Sequence, residues 1–202
     1  MQDPADFVSD TFLDLFHRGV ALLQTGSDPA ALEDVMKVEG VTQLVFEGGA
    51  TLWLLTREGS TQVVDGPGDH RVRASIAVPV EAARRWLSEI VLGEDLSGDE
   101  AALVAARSMS ARADAAIGDD PLLFHLVLAD APELGDVRVR IGLGASDPPE
   151  EPRFTATVGW EDLRRARTEG RSVQDLFMGG QIRLGGDYSR AMAVALQLLQ
   201  DS

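Results

Sequence analysis

Few residues in this chain have the chemistry of a reactive site. There are three histidines, His17, His70 and His125. His17 lies between Phe16 and Arg18 in a stretch of helical spacing, which places it on a helix surface or edge. His70 follows Gly66-Pro67-Gly68-Asp69, close to Asp65. The three groups could ligate a hard cation, but their spacing fits no calcium loop, and a solvated turn is the expectation. His125 sits between Phe124 and Leu126 in an alternating segment, where it either offers one polar group to a ligand or, as expected, is paired within a sheet. Gly142-Leu143-Gly144 follows a strand pattern but leads into Pro148-Pro149 rather than a helix, so it is not a dinucleotide site. No nucleophile elbow occurs. Cysteine is absent, which excludes thiol catalysis, zinc-thiolate sites and disulfides. The doublets Arg84-Arg85 and Arg164-Arg165 suit a carboxylate or a CoA phosphate, although pairing with glutamates on their own helices is the simpler expectation. No catalytic constellation emerges. The chain reads as non-enzymatic, with no cofactor and no metal.

Composition narrows the partners. Of 202 residues, 45% are hydrophobic and 25% charged, ordinary values for a folded globular chain. The formal charge of −15, from 18 basic and 33 acidic residues, repels phosphate backbones and anionic lipid surfaces. Nucleic acid is therefore not an expected partner. Lys37 is the only lysine and asparagine is absent, a bias that fits genome composition or salt adaptation and names no function. No run approaches the ~18 apolar residues of a membrane span. Residues 1–14 lack the basic-then-apolar order of a signal peptide, so a cytoplasmic protein is expected.

The elements that would position these residues follow from periodicity. Phe7, Phe12, Leu15, Phe16, Val20 and Leu23 recur at helical spacing behind a possible cap at Asp6, and a second helix is expected over 29–37, with proline at its first position. The period then falls to two. Residues 41–49, 51–59, 60–66 and 71–79 read as four strands. Helices are expected over 80–92 and 97–118, the latter capped by Ser97 or Asp99 and stopped by Gly118. Strands return over 122–130, 136–144 and 152–160, followed by a helix over 161–170, a short turn or helix over 173–178, a strand over 180–186 and a helix over 187–200. This order predicts an α+β fold with a largely antiparallel sheet covered by helices.

The chain also repeats itself. Residues 73–96 align with residues 153–176 without a gap, with eight of 24 positions identical: Arg73/Arg153, Val78/Val158, Glu81/Glu161, Arg84/Arg164, Arg85/Arg165, Glu89/Glu169, Asp95/Asp175 and Leu96/Leu176. In both copies an alternating strand leads into an Arg-Arg helix. Two related halves are expected, over 1–96 and 97–202.

Only the second half continues into "DLFMGGQIRLGGDYSRAMAVALQLL", from Asp175 to Leu199. Ile182 and Leu184 alternate with Gln181 and Arg183, Gly185-Gly186 permits a sharp exit, and Asp187 suits an N-cap. On the helix, Tyr188, Met192, Leu196 and Leu199 form one apolar stripe, and Ala191, Val194 and Leu198 a second. Periodicity alone leaves core packing and pocket lining both open.

Residues 120–199 resemble the sterol carrier protein domain family (type two). The resemblance rests on "FHLVLADAP", "DVRVRIGLG" and "FTATVGWEDLRRARTEG". Above all it rests on Phe177-Met178-Gly179-Gly180, the short strand, Gly186-Asp187 and the apolar helix from Tyr188 onward. Family members often carry lysines in that strand, where this chain has Gln181 and Arg183. The first half would be a degenerate copy without the terminal strand and helix. The resemblance implies a curved sheet under helices, with an apolar tunnel for sterols, fatty acids or acyl-CoA. On it, the expected partner is an apolar small molecule or lipid, and the candidate wall is Phe154, Trp160, Phe177, Met178, Ile182, Leu184, Tyr188, Met192 and Leu196. The alternative is an interaction module with a filled core, for example a homodimer, showing an exposed apolar patch.

Overall fold

The computed structural model describes residues 3–92, 95–171 and 173–200. Its strands are β1 (Glu39–Glu47), β2 (Thr51–Arg57), β3 (Ser60–Val64), β4 (Val72–Pro79), β5 (Leu122–Ala131), β6 (Gly135–Leu143), β7 (Phe154–Gly159) and β8 (Arg183–Gly186). All eight join one sheet in the order β3-β2-β1-β4-β6-β5-β7-β8. β1/β4 and β5/β7 are parallel and the other pairings antiparallel. The fold is α+β with a largely antiparallel sheet.

The two halves of the chain share one connectivity. In the first, β1 and β2 form a hairpin, and β4 returns parallel to β1 with Leu44 opposite Ile76 and Phe46 opposite Val78. In the second, β5 and β6 form a hairpin, and β7 returns parallel to β5 with Leu126 opposite Ala156 and Leu128 opposite Val158. β4 runs straight into α4 (Val80–Arg85), and β7 straight into α7 (Trp160–Thr168).

The seam between the halves accounts for their difference. β6 pairs antiparallel on the free edge of β4, with Arg140 opposite Ala77. β8 pairs antiparallel on the free edge of β7, with Arg183 opposite Thr157, and Ala77 and Thr157 are aligned positions of the sequence repeat. β6 thus fills in the first half the place that β8 fills in the second. Conversely, β4 occupies the edge of β6 where β2 carries β3. Each half supplies the strand that the other lacks at the seam.

α1 (Pro4–Asp6), a π-helical stretch (Phe7–Phe12) and α2 (Leu13–Thr25) run continuously, and Asp3 rather than Asp6 accepts the capping bond from the Ala5 N–H. α3 (Pro29–Met36) is capped by Asp28. α4 continues into a second π-helical stretch (Trp86–Leu92). The helix expected over 97–118 is two helices, α5 (Asp99–Arg107) and α6 (Ala111–Ile117). The break has a local cause. Ser110 adopts an extended conformation, and its hydroxyl accepts the Ala113 N–H. Asp34 accepts both the Ser110 hydroxyl and the Arg112 N–H, at 2.7 and 2.8 Å. A new helix start is thereby more favourable than a continued turn. Neither Ser97 nor Asp99 caps α5. Gly98 stands at the cap without a side-chain bond, and Arg18 donates to the Ser97 and Gly98 carbonyls.

α8 (Val173–Met178) and α9 (Ser189–Gln200) complete the chain. Asp187 accepts the Ser189 N–H and hydroxyl, two residues ahead, in place of a regular N-cap. Strand residues of one face, among them Leu44, Phe46, Leu54, Val78, Leu128, Val139 and Val158, pack with helix residues into one large core. The opposite face carries Gln43, Ser75, Arg140 and His125, and the β6–β7 connection crosses it.

Candidate functional site

A cavity of about 260 Å³ lies between the first half of the sheet and its helices. Its floor is Thr42 and Leu44 from β1, Leu54 from β2, Ala74 and Ile76 from β4, and Leu143 from β6. The alternation of each strand presents these side chains on one face. Val8 and Phe12 of the first π-helical stretch and Trp86, Leu87 and Val91 of the second cover it, together with Met109, Ala113 and Ile117. Both π-helical stretches therefore meet at the cavity. Such insertions occur frequently at functional sites.

One end of this apolar chamber is polar. Arg73, 7% exposed, donates from Nε to Asp114 Oδ2 at 2.5 Å and from Nη2 to Oδ1 at 3.1 Å. Its Nη1 donates to the sulfur of Met109 at 3.1 Å. The pair is bidentate and enclosed, with Asp114 19% exposed. Its two charges cancel, so the chamber carries no net charge there. Ser108, Ser110 and Thr42 add hydroxyls. Among the lining residues only Ser108 is exposed, and it is next in sequence to Met109 at that end.

None of the nine candidate wall residues lines this cavity. Phe154 is buried and stacks on Phe124 with ring centroids 4.9 Å apart. Trp160 is fully buried. Ile182 packs, partly buried, against the main core. Leu184 and Met192 are partly buried, while Phe177, Met178, Tyr188 and Leu196 are exposed. On α9 the inward stripe is Ala191, Val194 and Leu198, which packs with Ala116, Ile117 and Leu122. Tyr188 and Leu196 face outward, and the side chain of Leu199 lies outside the described residues. Arg190 of α9 donates to the Ala116 and Ile117 carbonyls at the end of α6. Ile117 and Leu143 belong to both settings: each lines the cavity and also meets the cluster under α9. The terminal helix backs the cavity wall and does not form it.

The residues that build the polar end were not candidates from the sequence. Arg73 reads as an ordinary outward arginine in an alternating strand. Asp114 reads as a solvent-side residue of a long helix. Their one signal was the identity of Arg73 with Arg153, which here carries a different ion pair, with Asp120 at 2.9 Å.

The remaining candidates fall into structural roles. His17 is exposed, and its Nε2 accepts the Thr61 N–H. His125 is buried and donates to the Pro149 carbonyl at 3.0 Å. His70 is exposed, and among the described residues no group of three or more potential ligands gathers around a metal position. Arg85 pairs with Glu89 and Arg164 with Glu161 on their own helices. No described helix is long and apolar enough to cross a membrane.

No family model and no curated protein matches the chain. Among solved structures it is similar to the apo form of sterol carrier protein 2 from Yarrowia lipolytica, at 12% identity over 93% of each chain, with a TM-score of 0.23. A superposition that loose has no bearing on ligand or site.

Proposed function

We propose that this chain holds a small apolar molecule in the cavity beneath the two π-helical stretches, as a carrier without catalysis. The observation that carries the proposal is an apolar chamber of about 260 Å³ whose exposed lining residue, Ser108, lies at its polar end. Apolar walls with a few convergent polar groups are the ordinary form of a small-molecule site. The acid and the base at that end, Asp114 and Arg73, are engaged with each other, which favours binding over proton transfer.

Volume sets the ligand's size. A cavity of ~150 Å³ holds a benzene ring, so about 260 Å³ takes roughly ten non-hydrogen atoms. A sterol is too large for the chamber in this form, and a short chain or a small terpenoid skeleton fits. Burial at ~0.8 kcal/mol per methylene gives about 8 kcal/mol, of which association removes about 4 or more, so burial alone leaves at most about 4 kcal/mol, a Kd of about 1 mM at best before any polar contact is counted. The shared registers of β1/β4 and β5/β7 support descent of the halves, 1–96 and 97–202, from one duplicated unit.

Native mass spectrometry and solvent extraction of the purified protein test the carrier reading. A co-purifying apolar molecule of this size, or displacement of a fluorescent medium-chain probe, is expected. A protein that carries nothing and takes up no probe is not a carrier.

One feature favours the alternative, an interaction module. Tyr188 and Leu196 face outward on α9, and Phe177 and Met178 are also exposed. Concentration-dependent self-association lost on Leu196→Ser would support a homodimer through that helix.

A further inference from the structure

The polar end of the cavity constrains the ligand's head group. Arg73 binds Asp114 through Nε and Nη2, which leaves Nη1 with a thioether sulfur as its partner. Thioether sulfur is a weak acceptor, and the guanidinium of Arg73, a side chain only 7% exposed, is a strong donor with little water to replace the sulfur. Met109 and Arg73 both line the chamber. An oxygen entering at that end would take the sulfur's place on Nη1 and strengthen the bond.

The charge of that oxygen is limited by Asp114. The aspartate already neutralises Arg73 in a bidentate pair, and a second carboxylate would meet Asp114 as a like charge inside an apolar chamber. Such a group would lose its hydration without gaining net attraction. A neutral carbonyl or hydroxyl oxygen meets no such repulsion and gives up far less hydration. The Ser108 and Ser110 hydroxyls at the same cavity commit their protons to the Ala105 carbonyl and to Asp34, so they offer a carboxylate no compensating donor.

Building on the carrier reading, we propose that the ligand is a neutral, short-chain amphiphile of roughly ten non-hydrogen atoms, a ketone, aldehyde, alcohol or ester, whose oxygen accepts a hydrogen bond from Arg73 Nη1. Its hydrocarbon tail lies between Phe12, Leu44, Ile76 and Trp86.

The test is titration with 2-nonanone and with nonanoate at neutral pH, read from the ¹³C-methyl signals of Ile76 and Ile117, which line the cavity. The ketone should bind about tenfold or more tightly than the carboxylate. Equal or tighter binding of nonanoate overturns the proposal while leaving a carrier in place. Binding of neither removes the carrier reading and this one with it. Met109→Leu keeps the side-chain volume and deletes the competing sulfur. In that variant the ketone should bind about threefold or more tightly than in the parent chain, because Nη1 is freed. An unchanged or weaker ketone affinity there overturns the assignment to Nη1.

Discussion

The indole N–H of Trp160 donates to Glu89 Oε2 at 3.1 Å, joining the helix that follows β7 to the helical stretch that follows β4. Arg85 completes the junction. Its Nε bonds Glu89 Oε1 at 2.8 Å, and its guanidinium lies over the Trp160 ring at 5.5 Å. The contact crosses between the halves of the chain and fixes the π-helical stretch that carries Trp86, Leu87 and Val91 to the cavity.

This junction makes stability sensitive to acid. Burial pushes the Glu89 carboxyl up, but the hydrogen bonds from Arg85 and Trp160 outweigh it and hold the group below its ordinary 4.5. A carboxyl so lowered stabilises the fold at neutral pH, and that contribution fades as pH falls below 4.5 and is gone beneath the folded value. Glu89→Gln should therefore cost about 1–2 kcal/mol at neutral pH, with the deficit closing under acid. Paired urea titrations at both conditions check this, and a deficit of equal size in acid would show that the charge contributes nothing.

The crossing of α2 and α5 depends on one missing side chain. A Cβ on Gly19 would sit 2.0 Å from the Ala102 carbonyl oxygen and 2.9 Å from the Ala106 Cβ. Neither neighbour can give, because one is helix backbone and the other a fixed methyl. Gly19→Ala should push the helices apart and cost about 3 kcal/mol, at the upper end of overpacking penalties, despite the better helix propensity of alanine. Denaturant unfolding measures it, and a neutral or stabilising result would mean that the helices do not approach so closely.

Strand and helix periods made most of this fold legible. The eight strand patterns, the Arg-Arg helices and the terminal unit are local signals, and each appears within a few residues of its expected place. What the sequence left hidden was set by partners distant in the chain. The break at Ser110 depends on Asp34, 76 residues earlier. The seam depends on β6 choosing the edge of β4, for which no local pattern exists. The cavity was hidden for the same reason. Its polar end joins a strand arginine to a helix aspartate 41 residues away, each an ordinary surface residue by its own spacing. The apolar terminal helix was conspicuous because its pattern is local, and it packs behind the wall.

The turn into that helix is strict at one position. Gly186 has φ of +87°, and a Cβ there would lie 2.7 Å from the Arg153 carbonyl, which accepts the Asp187 N–H. Gly186→Ala should detach β8 from β7 and cost about 1–3 kcal/mol. Amide exchange should accelerate across 183–198, with β1, β2 and β4 retaining their protection. Uniform acceleration would mean that α9 and the cavity half unfold together.

Cavity and terminal helix separate in a final comparison. Ala74 faces the chamber from β4, opposite Thr42 on one side and Leu143 on the other. Ala74→Ile adds three carbons into the void at a strand position that suits a branched side chain. It should reduce uptake of a medium-chain probe at least tenfold and leave stability unchanged or higher by about 1 kcal/mol, because buried methyls replace empty space. Met192→Ala and Leu196→Ala change α9 residues that do not line the cavity, and should leave uptake within about twofold, as expected for a site they do not form. The reverse pattern, with binding lost in the α9 variants and kept in Ala74→Ile, would move the site beneath the terminal helix. The expected pattern follows from Ile117, which presents one side to the chamber and the other to Val194. A change on α9 reaches the ligand only through Ile117 or Leu143, whereas a change at Ala74 occupies the ligand's own volume.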